Sequence, residues 1–210
     1  MKKLIYGVMA LAFAPALFAQ PLKVVTVNAP AVNYVFNPSG VVSVVDLSAP
    51  IWTSGFLQSR YYQAAAGAPA AGKYVYEYRI DLRNVVGITA IPYITSLTVP
   101  FGGNVKLDFN GDKMLDDVFV VTSGGLGNIG LQSAVRSGSN ITFTFNPNVA
   151  GGSAPGKGDS TFFFGVVSNF PKQNVIATAP NNLGPALSLN AWAPMAFKPV
   201  PIPLPVPKKP

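Results

Sequence analysis

From Lys73 to Arg83 the chain alternates without a break. Tyr74, Tyr76, Tyr78, Ile80 and Leu82 fall on one face, and Val75, Glu77, Arg79, Asp81 and Arg83 on the other. A period of two is that of a β-strand. It predicts a strand with an aromatic face in a core and a charged face in water, the charges alternating in sign and forming cross-strand pairs. Asn140 to Asn146 repeats the pattern, with Ile141, Phe143 and Phe145 set against Thr142 and Thr144. Shorter β-branched or alternating runs follow the same rule at Leu22–Asn28, Val41–Leu47, Ile94–Val99, Asn104–Leu107, Val118–Thr122, Ile129–Val135, Thr161–Ser168 and Asn174–Thr178. Turn residues separate them, among them Pro92, Pro100, Gly102, Gly103, Gly124, Gly125, Pro147, Gly151 and Gly152. About ten short strands with such turns between them predict an all-β fold, an antiparallel β-sandwich of immunoglobulin-like or jelly-roll-like form.

Helical spacing is nearly absent after the first twenty residues. The most helix-like stretch is Gln58 to Ala66, cut short by Gly67 and Pro69. Ala64 to Gly72 reads as a flexible loop before the tyrosine strand. Lys198 to Pro210 carries proline at nearly every second position. It can neither pair as a central strand nor form a helix, so it is expected as an extended polyproline-like tail.

The N-terminus has a different pattern. Lys2 and Lys3 precede an uncharged apolar run from Leu4 to Phe18, and Ala19 is followed by Gln20 and Pro21. This is the order of a Sec-type signal peptide with cleavage near Ala19-Gln20, which predicts a secreted, extracellular or cell-surface protein. The apolar run is about 15 residues, short of the roughly 20 that span a bilayer as a helix. No later segment is apolar enough for a transmembrane helix. The chain is thus expected as residues 1–19 of signal peptide, a single β-sandwich over 20–197 and the proline-rich tail over 198–210.

Composition narrows the chemistry. The 210 residues include no cysteine, so no disulfide staples the domain and its stability must come from its core. Charged residues are 11% of the chain, less than half the usual share. The net charge of +7 reflects few acids, and the basic residues are scattered, which argues against a nucleic-acid face. With neither histidine nor cysteine, serine–histidine triads, thiol nucleophiles and His- or Cys-ligated zinc are excluded. No phosphate-binding glycine loop is present. The eight acids offer no evident carboxylate pair, so the expectation is a non-enzyme.

Four of those acids lie close together, from Asp108 to Asp117. Asp108, Asn110, Asp112 and Asp116 occupy positions one, three, five and nine of a Ca²⁺-wrapping loop, and Met114 would offer its carbonyl at seven. Lys113 stands at six, where glycine usually turns, and Phe119 at twelve, where a bidentate glutamate belongs; Asp117 could substitute as a ligand. The other reading is a polar Asn-Gly turn between two strands. Trp52, Tyr61, Tyr62, Phe170 and Trp192 read as loop aromatics, and Trp52 and Trp192 are the candidates for stacking on a sugar; the alternative is that they plug the ends of the sandwich. Asn140-Ile141-Thr142 matches an N-glycosylation acceptor but falls within an expected strand.

The succession YVYEYRIDLRN, ITSLTVPFGG, SNITFTFNPNVAGG and GDSTFFFGVVSNFP resembles secreted bacterial proteins of the PEP-CTERM and choice-of-anchor type, over Lys73 to Pro171. The resemblance implies an extracellular β-sandwich associated with a cell surface or matrix, and supplies no catalytic residues. Ala193-Pro194-Met195 leads into the proline tail, where that type would have Pro-Glu-Pro, an apolar helix and a basic cluster. The leading expectation is a structural or adhesive surface protein that self-associates into filaments or a layer, with Leu22–Leu47 available as a strand for a neighbour. The second is an extracellular carbohydrate-binding module, Ca²⁺-dependent in one version, whose partner is a surface polysaccharide.

Overall fold

The computed structural model describes residues 19–32, 40–45 and 53–195. Residues 1–18 of the expected signal peptide, Trp52 and the proline-rich tail lie outside the described residues.

The alternating segments form two six-stranded sheets packed face to face, a β-sandwich. The first sheet runs in the order β1 (Gln20–Leu22), β8 (Gly130–Ser137), β9 (Asn140–Ala150), β6 (Tyr93–Pro100), β11 (Lys172–Ala179), β12 (Leu187–Pro194). The second runs β2 (Val24–Asn28), β7 (Val118–Ser123), β10 (Phe163–Ser168), β5 (Tyr74–Asp81), β4 (Gly55–Gln63), β3 (Gly40–Val45). Neighbours pair antiparallel except β2 and β7, which run parallel.

The core between the sheets is built from the apolar half of each alternation. Tyr76, Tyr78 and Ile80 of β5 and Phe164 and Val166 of β10 meet Leu97, Ile141, Phe143, Ala177 and Leu189 of the first sheet. Phe143 and Phe164 pack with ring centroids 4.9 Å apart, and Tyr78 lies 6.0 Å from each. Buried phenols need partners: the Tyr78 hydroxyl donates to the carbonyl of Trp192 at 2.7 Å, and that of Tyr76 to the carbonyl of Phe170 at 2.8 Å. On the other face of β10, Gly165 leaves room for the neighbouring strands. A Cβ there would sit 2.0 Å from the Tyr76 carbonyl oxygen and 2.9 Å from the Phe119 ring.

Both sides of the sandwich are closed. The segment expected as one strand, Leu22–Asn28, breaks at Lys23. Leu22 pairs with Ala134 in the first sheet, and Val24 with Val118 in the second. On the opposite side β12 lies against β4, the Trp192 amide donating to Ser59 Oγ at 2.9 Å.

Three expectations are corrected. The stretch that reads as helix-like, Gln58–Ala66, is mostly strand β4. Strand β12, Leu187–Pro194, has no counterpart among the alternating runs of the sequence. Asn104–Leu107 forms only isolated bridges, Val105 to Val167 and Leu107 to Asp116.

The largest correction concerns the charged face of β5, expected in water. Val75, Glu77, Arg79 and Asp81 are all buried. A second apolar layer lies on this outer side, formed by Val27, Val32 from the short 3-10 turn Ala29–Val32, Ala64 and Ala70 from the loop after β4, and Phe109, Phe119, Val121, Phe163 and Val167.

Candidate functional site

The outward face of the first sheet is polar, nearly uncharged and solvent-facing. Strand pairing sets Thr98 beside Thr142 and Thr178, with Thr144 opposite Ser133, and Ile176 opposite Asn190. Thr98 and Thr142 share a hydrogen bond of 2.9 Å across the strands. Asn174, Ile176, Thr178, Ser188 and Asn190 are exposed. Hydroxyl and amide groups dominate, and Lys172 is the charged side chain that the register places on this face, at one corner. Neighbouring strands are about 4.8 Å apart, so the face from β8 to β12 extends for roughly 20 Å.

Trp192 stands at that same corner. It is paired with Asn174 in the register and is partly buried. Lys172, Gln173, Asn174 and Trp192 line an open depression of about 390 Å³. The Lys172 ammonium lies 3.4 Å from the Trp192 ring centroid and 5.4 Å from that of Tyr61. Tyr61 meets Trp192 edge-on at 6.2 Å and stacks on Tyr74 at 5.5 Å, 15° from parallel. Burial raises the Tyr61 hydroxyl above the usual phenol range. The Gln173 amide donates to the carbonyl of Pro194 at 3.0 Å, and the Met195 amide to that of Pro171 at 2.9 Å, which fixes β12 to the turn before β11. The corner is thus an aromatic cluster on rigid strands with amides and one ammonium at its rim.

The buried charges of the second sheet form a different kind of site. Arg60 and Glu77 are 1% and 0% exposed and 3.6 Å apart. Tyr62 donates to Glu77 Oε1 at 2.7 Å, and its oxygen also lies 2.7 Å from the Val32 carbonyl. The Arg60 guanidinium lies 3.7 Å from the Phe163 ring centroid. Burial pushes the Glu77 carboxyl up to about 7, against the opposing pull of Tyr62 and Arg60. Further along β5, Arg79 Nη1 contacts Asp81 Oδ2 at 2.9 Å, and Arg83 bonds both Asp81 oxygens. Burial alone would raise the Asp81 carboxyl, but hydrogen bonds from Arg83, together with Arg79, hold it below the usual range. These buried groups knit the outer layer to the sheet.

The acidic loop divides in two. Its first half closes on itself: Asp108 accepts the amides of Gly111 at 2.7 Å and Lys113 at 2.8 Å, and Asp112 accepts that of Met114 at 2.7 Å. The Asn110 amide donates to Asp112 at 3.1 Å. Lys113, at the position where a Ca²⁺ loop usually turns on glycine, takes the left-handed conformation with φ of 69°. The second half turns inward. Asp116 Oδ1 lies 2.8 Å from Lys23 Nζ, and Asp117 Oδ2 accepts the Lys23 amide at 3.0 Å and lies 3.3 Å from Lys106 Nζ. Lys23 Nζ is 3.9 Å from Asp112, and its hydrogen bond with Asp116 raises its pKa. The six residues singled out in the sequence are therefore near one another, but Lys23 and Lys106 are set against the buried carboxylates. Among the described residues, no group of three or more acidic, histidine or cysteine side chains is arranged to hold a metal ion.

Of the aromatics read as loop residues, Tyr61 and Tyr62 lie within β4 and Trp192 within β12. Tyr62 turns to the outer layer and joins the Glu77 network. Tyr61 and Tyr74 join Trp192, a grouping no sequence spacing announces, because β12 is brought to β4 only by the closure of the sandwich. Lys172 was also missed as a site residue; its strand register with Pro194 is what places it there. No helix of the described residues is long and apolar enough to cross a membrane. Comparison of the chain with protein-family models, with curated proteins and with solved structures finds no match.

Proposed function

We propose that the protein is a secreted, non-catalytic adhesive domain that attaches to polysaccharide through the outward face of its first sheet. The observation that carries this reading is the corner where Trp192, backed edge-on by Tyr61, borders an open depression with Lys172, Gln173 and Asn174 on a face of hydroxyls and amides. Rigid aromatic rings can cover the C–H face of a pyranose, while flanking amides and hydroxyls exchange hydrogen bonds with its hydroxyls. Secretion is supported by the Lys2-Lys3 start and the apolar run Leu4–Phe18, and strand β1 begins at Gln20, directly after the expected cleavage point. A non-catalytic role is supported by the lack of histidine and cysteine and by the commitment of Glu77, Asp81, Asp116 and Asp117 to ion pairs. Affinity electrophoresis in gels containing soluble polysaccharide tests the reading. Retardation of the wild type should weaken at least about tenfold in Trp192→Ala, the usual consequence of truncating an aromatic anchor; equal retardation of the two proteins would count against it.

Self-association is the second reading, favoured by the low charge of the same face and by Ile176, 53% exposed on it. Its strand-donation version has less support, because β1, β2 and β3 pair with β8, β7 and β4 of their own molecule. The acidic loop is assigned a structural role, since Lys23 and Lys106 already supply positive charge to Asp116 and Asp117. Millimolar Ca²⁺ is accordingly expected to leave Tm unchanged in differential scanning fluorimetry. A rise that EDTA reverses would restore the calcium-dependent version of the binding reading.

A further inference from the structure

We propose that the polysaccharide bound is anionic, and that Lys172 receives its carboxylate at the Trp192 corner; this rests on the polysaccharide reading above. Lys23, Arg60, Arg79, Arg83 and Lys106 each have a carboxylate within 4 Å. Lys172 has rings instead: its ammonium is 3.4 Å from the centroid of Trp192 and makes no ion pair among the described residues. An ammonium has three N–H donors, and a ring face attracts the charge without accepting the strong directed hydrogen bonds a carboxylate would. The cation is therefore held in place with donor capacity to spare, in an open depression whose other linings are Gln173, Asn174 and Trp192.

The surroundings favour the same sign. Lys73, next to the stacked Tyr74, also makes no ion pair among the described residues, and donates to Asn169 at 3.3 Å, three residues before Lys172. None of the described acids is in a position to answer either lysine. Asp116 and Asp117 face Lys23 and Lys106, Asp81 faces its two arginines, Glu77 faces Arg60, and Asp159 accepts from Asn128 at 2.8 Å. A uronate fits this corner: its ring can pack on the aromatic edge while its carboxylate takes the spare Lys172 donors, a charge-assisted pair.

The test keeps the sugar and changes only the charge. The mature protein is titrated with polygalacturonate and with its fully methyl-esterified, neutral form. The acidic polymer should bind about tenfold more tightly, as expected for one hydrogen bond to a charged group. Lys172→Gln should abolish that preference, the two polymers then binding equally, and Lys172→Arg should keep it. Equal binding of the two polymers by the wild type, or a preference that survives in Lys172→Gln, overturns the anionic proposal and leaves the polysaccharide reading standing. Binding of neither polymer overturns both. A mass that grows with concentration in the wild type but not in Trp192→Ala would make the corner a contact between copies, and would also overturn both.

Discussion

Arg60→Met should destabilise the domain by about 3–5 kcal/mol, the cost of leaving one member of a buried ion pair without the other. Arg60 and Glu77 are shielded from water by the second apolar layer. Removing the guanidinium strands the Glu77 carboxyl beside Tyr62 with no cation facing it, and also removes the packing of Arg60 on Phe163 at 3.7 Å. The companion variant Arg60→Met/Glu77→Leu should recover most of the loss, because a buried pair replaced by apolar groups of similar volume is often neutral or stabilising. Urea unfolding followed by tryptophan fluorescence gives both values. If the single variant costs less than about 1 kcal/mol, water reaches the pair and the second layer is not a sealed core.

The second large effect is a dependence on pH that this pair imposes. Glu77 titrates near 7 in the folded protein, against an ordinary value of 4.5. A carboxyl raised in this way binds its proton more tightly folded than unfolded. Its contribution to stability is therefore full below pH 4.5 and is lost as pH rises through 7. The loss amounts to about 3 kcal/mol between those limits. Arg60 and Tyr62 are the polar groups facing Glu77. Glu77→Gln should therefore flatten the slope of stability against pH between 5 and 8. A wild-type profile as flat as that of the variant would mean that Arg60 holds the carboxylate ionised throughout.

These two expectations rest on the part of the fold that sequence alternation misread. Period two places residues on opposite faces but does not say what covers each face. For β5, Tyr76, Tyr78 and Ile80 fill the core as the pattern implies. Glu77 looks solvent-bound because the layer over its end of the strand comes from elsewhere: the 3-10 turn Ala29–Val32, the small-residue loop holding Ala64 and Ala70, and Phe109 of the acidic loop. None of these has a strong pattern of its own. The same layer hides β4. Arg60 and Tyr62 lie on its outer side, so its sequence GFLQSRYYQ shows no clean alternation of apolar and polar residues. In β12 the inward positions include Ala191 and Ala193, too small to mark a core face.

The acidic loop shows the limit of spacing from another side. Asp108, Asn110 and Asp112 form the turn that their spacing suggests, with Lys113 taking the left-handed conformation. One partner of Asp117 is the backbone of Lys23, 94 residues away in the chain, and Lys23 also reaches Asp116. That contact exists because the first strand crosses from one sheet to the other at Lys23, which no local motif records. Trp192 was legible as a candidate, but its neighbours Tyr61, Tyr74 and Lys172 were assembled by tertiary closure.

Polysaccharide is proposed to attach to the outward face of the first sheet, from the Trp192 corner inward. Titrating the isotopically labelled mature protein with short oligosaccharides and following its backbone amides by NMR tests it most directly. Shifts should concentrate on Lys172–Ile176 and Asn190–Trp192, spread towards Thr98 and fade on the second sheet. Shifts confined to Asp108–Asp117 or to the second sheet, or none at all at millimolar oligosaccharide, would contradict it.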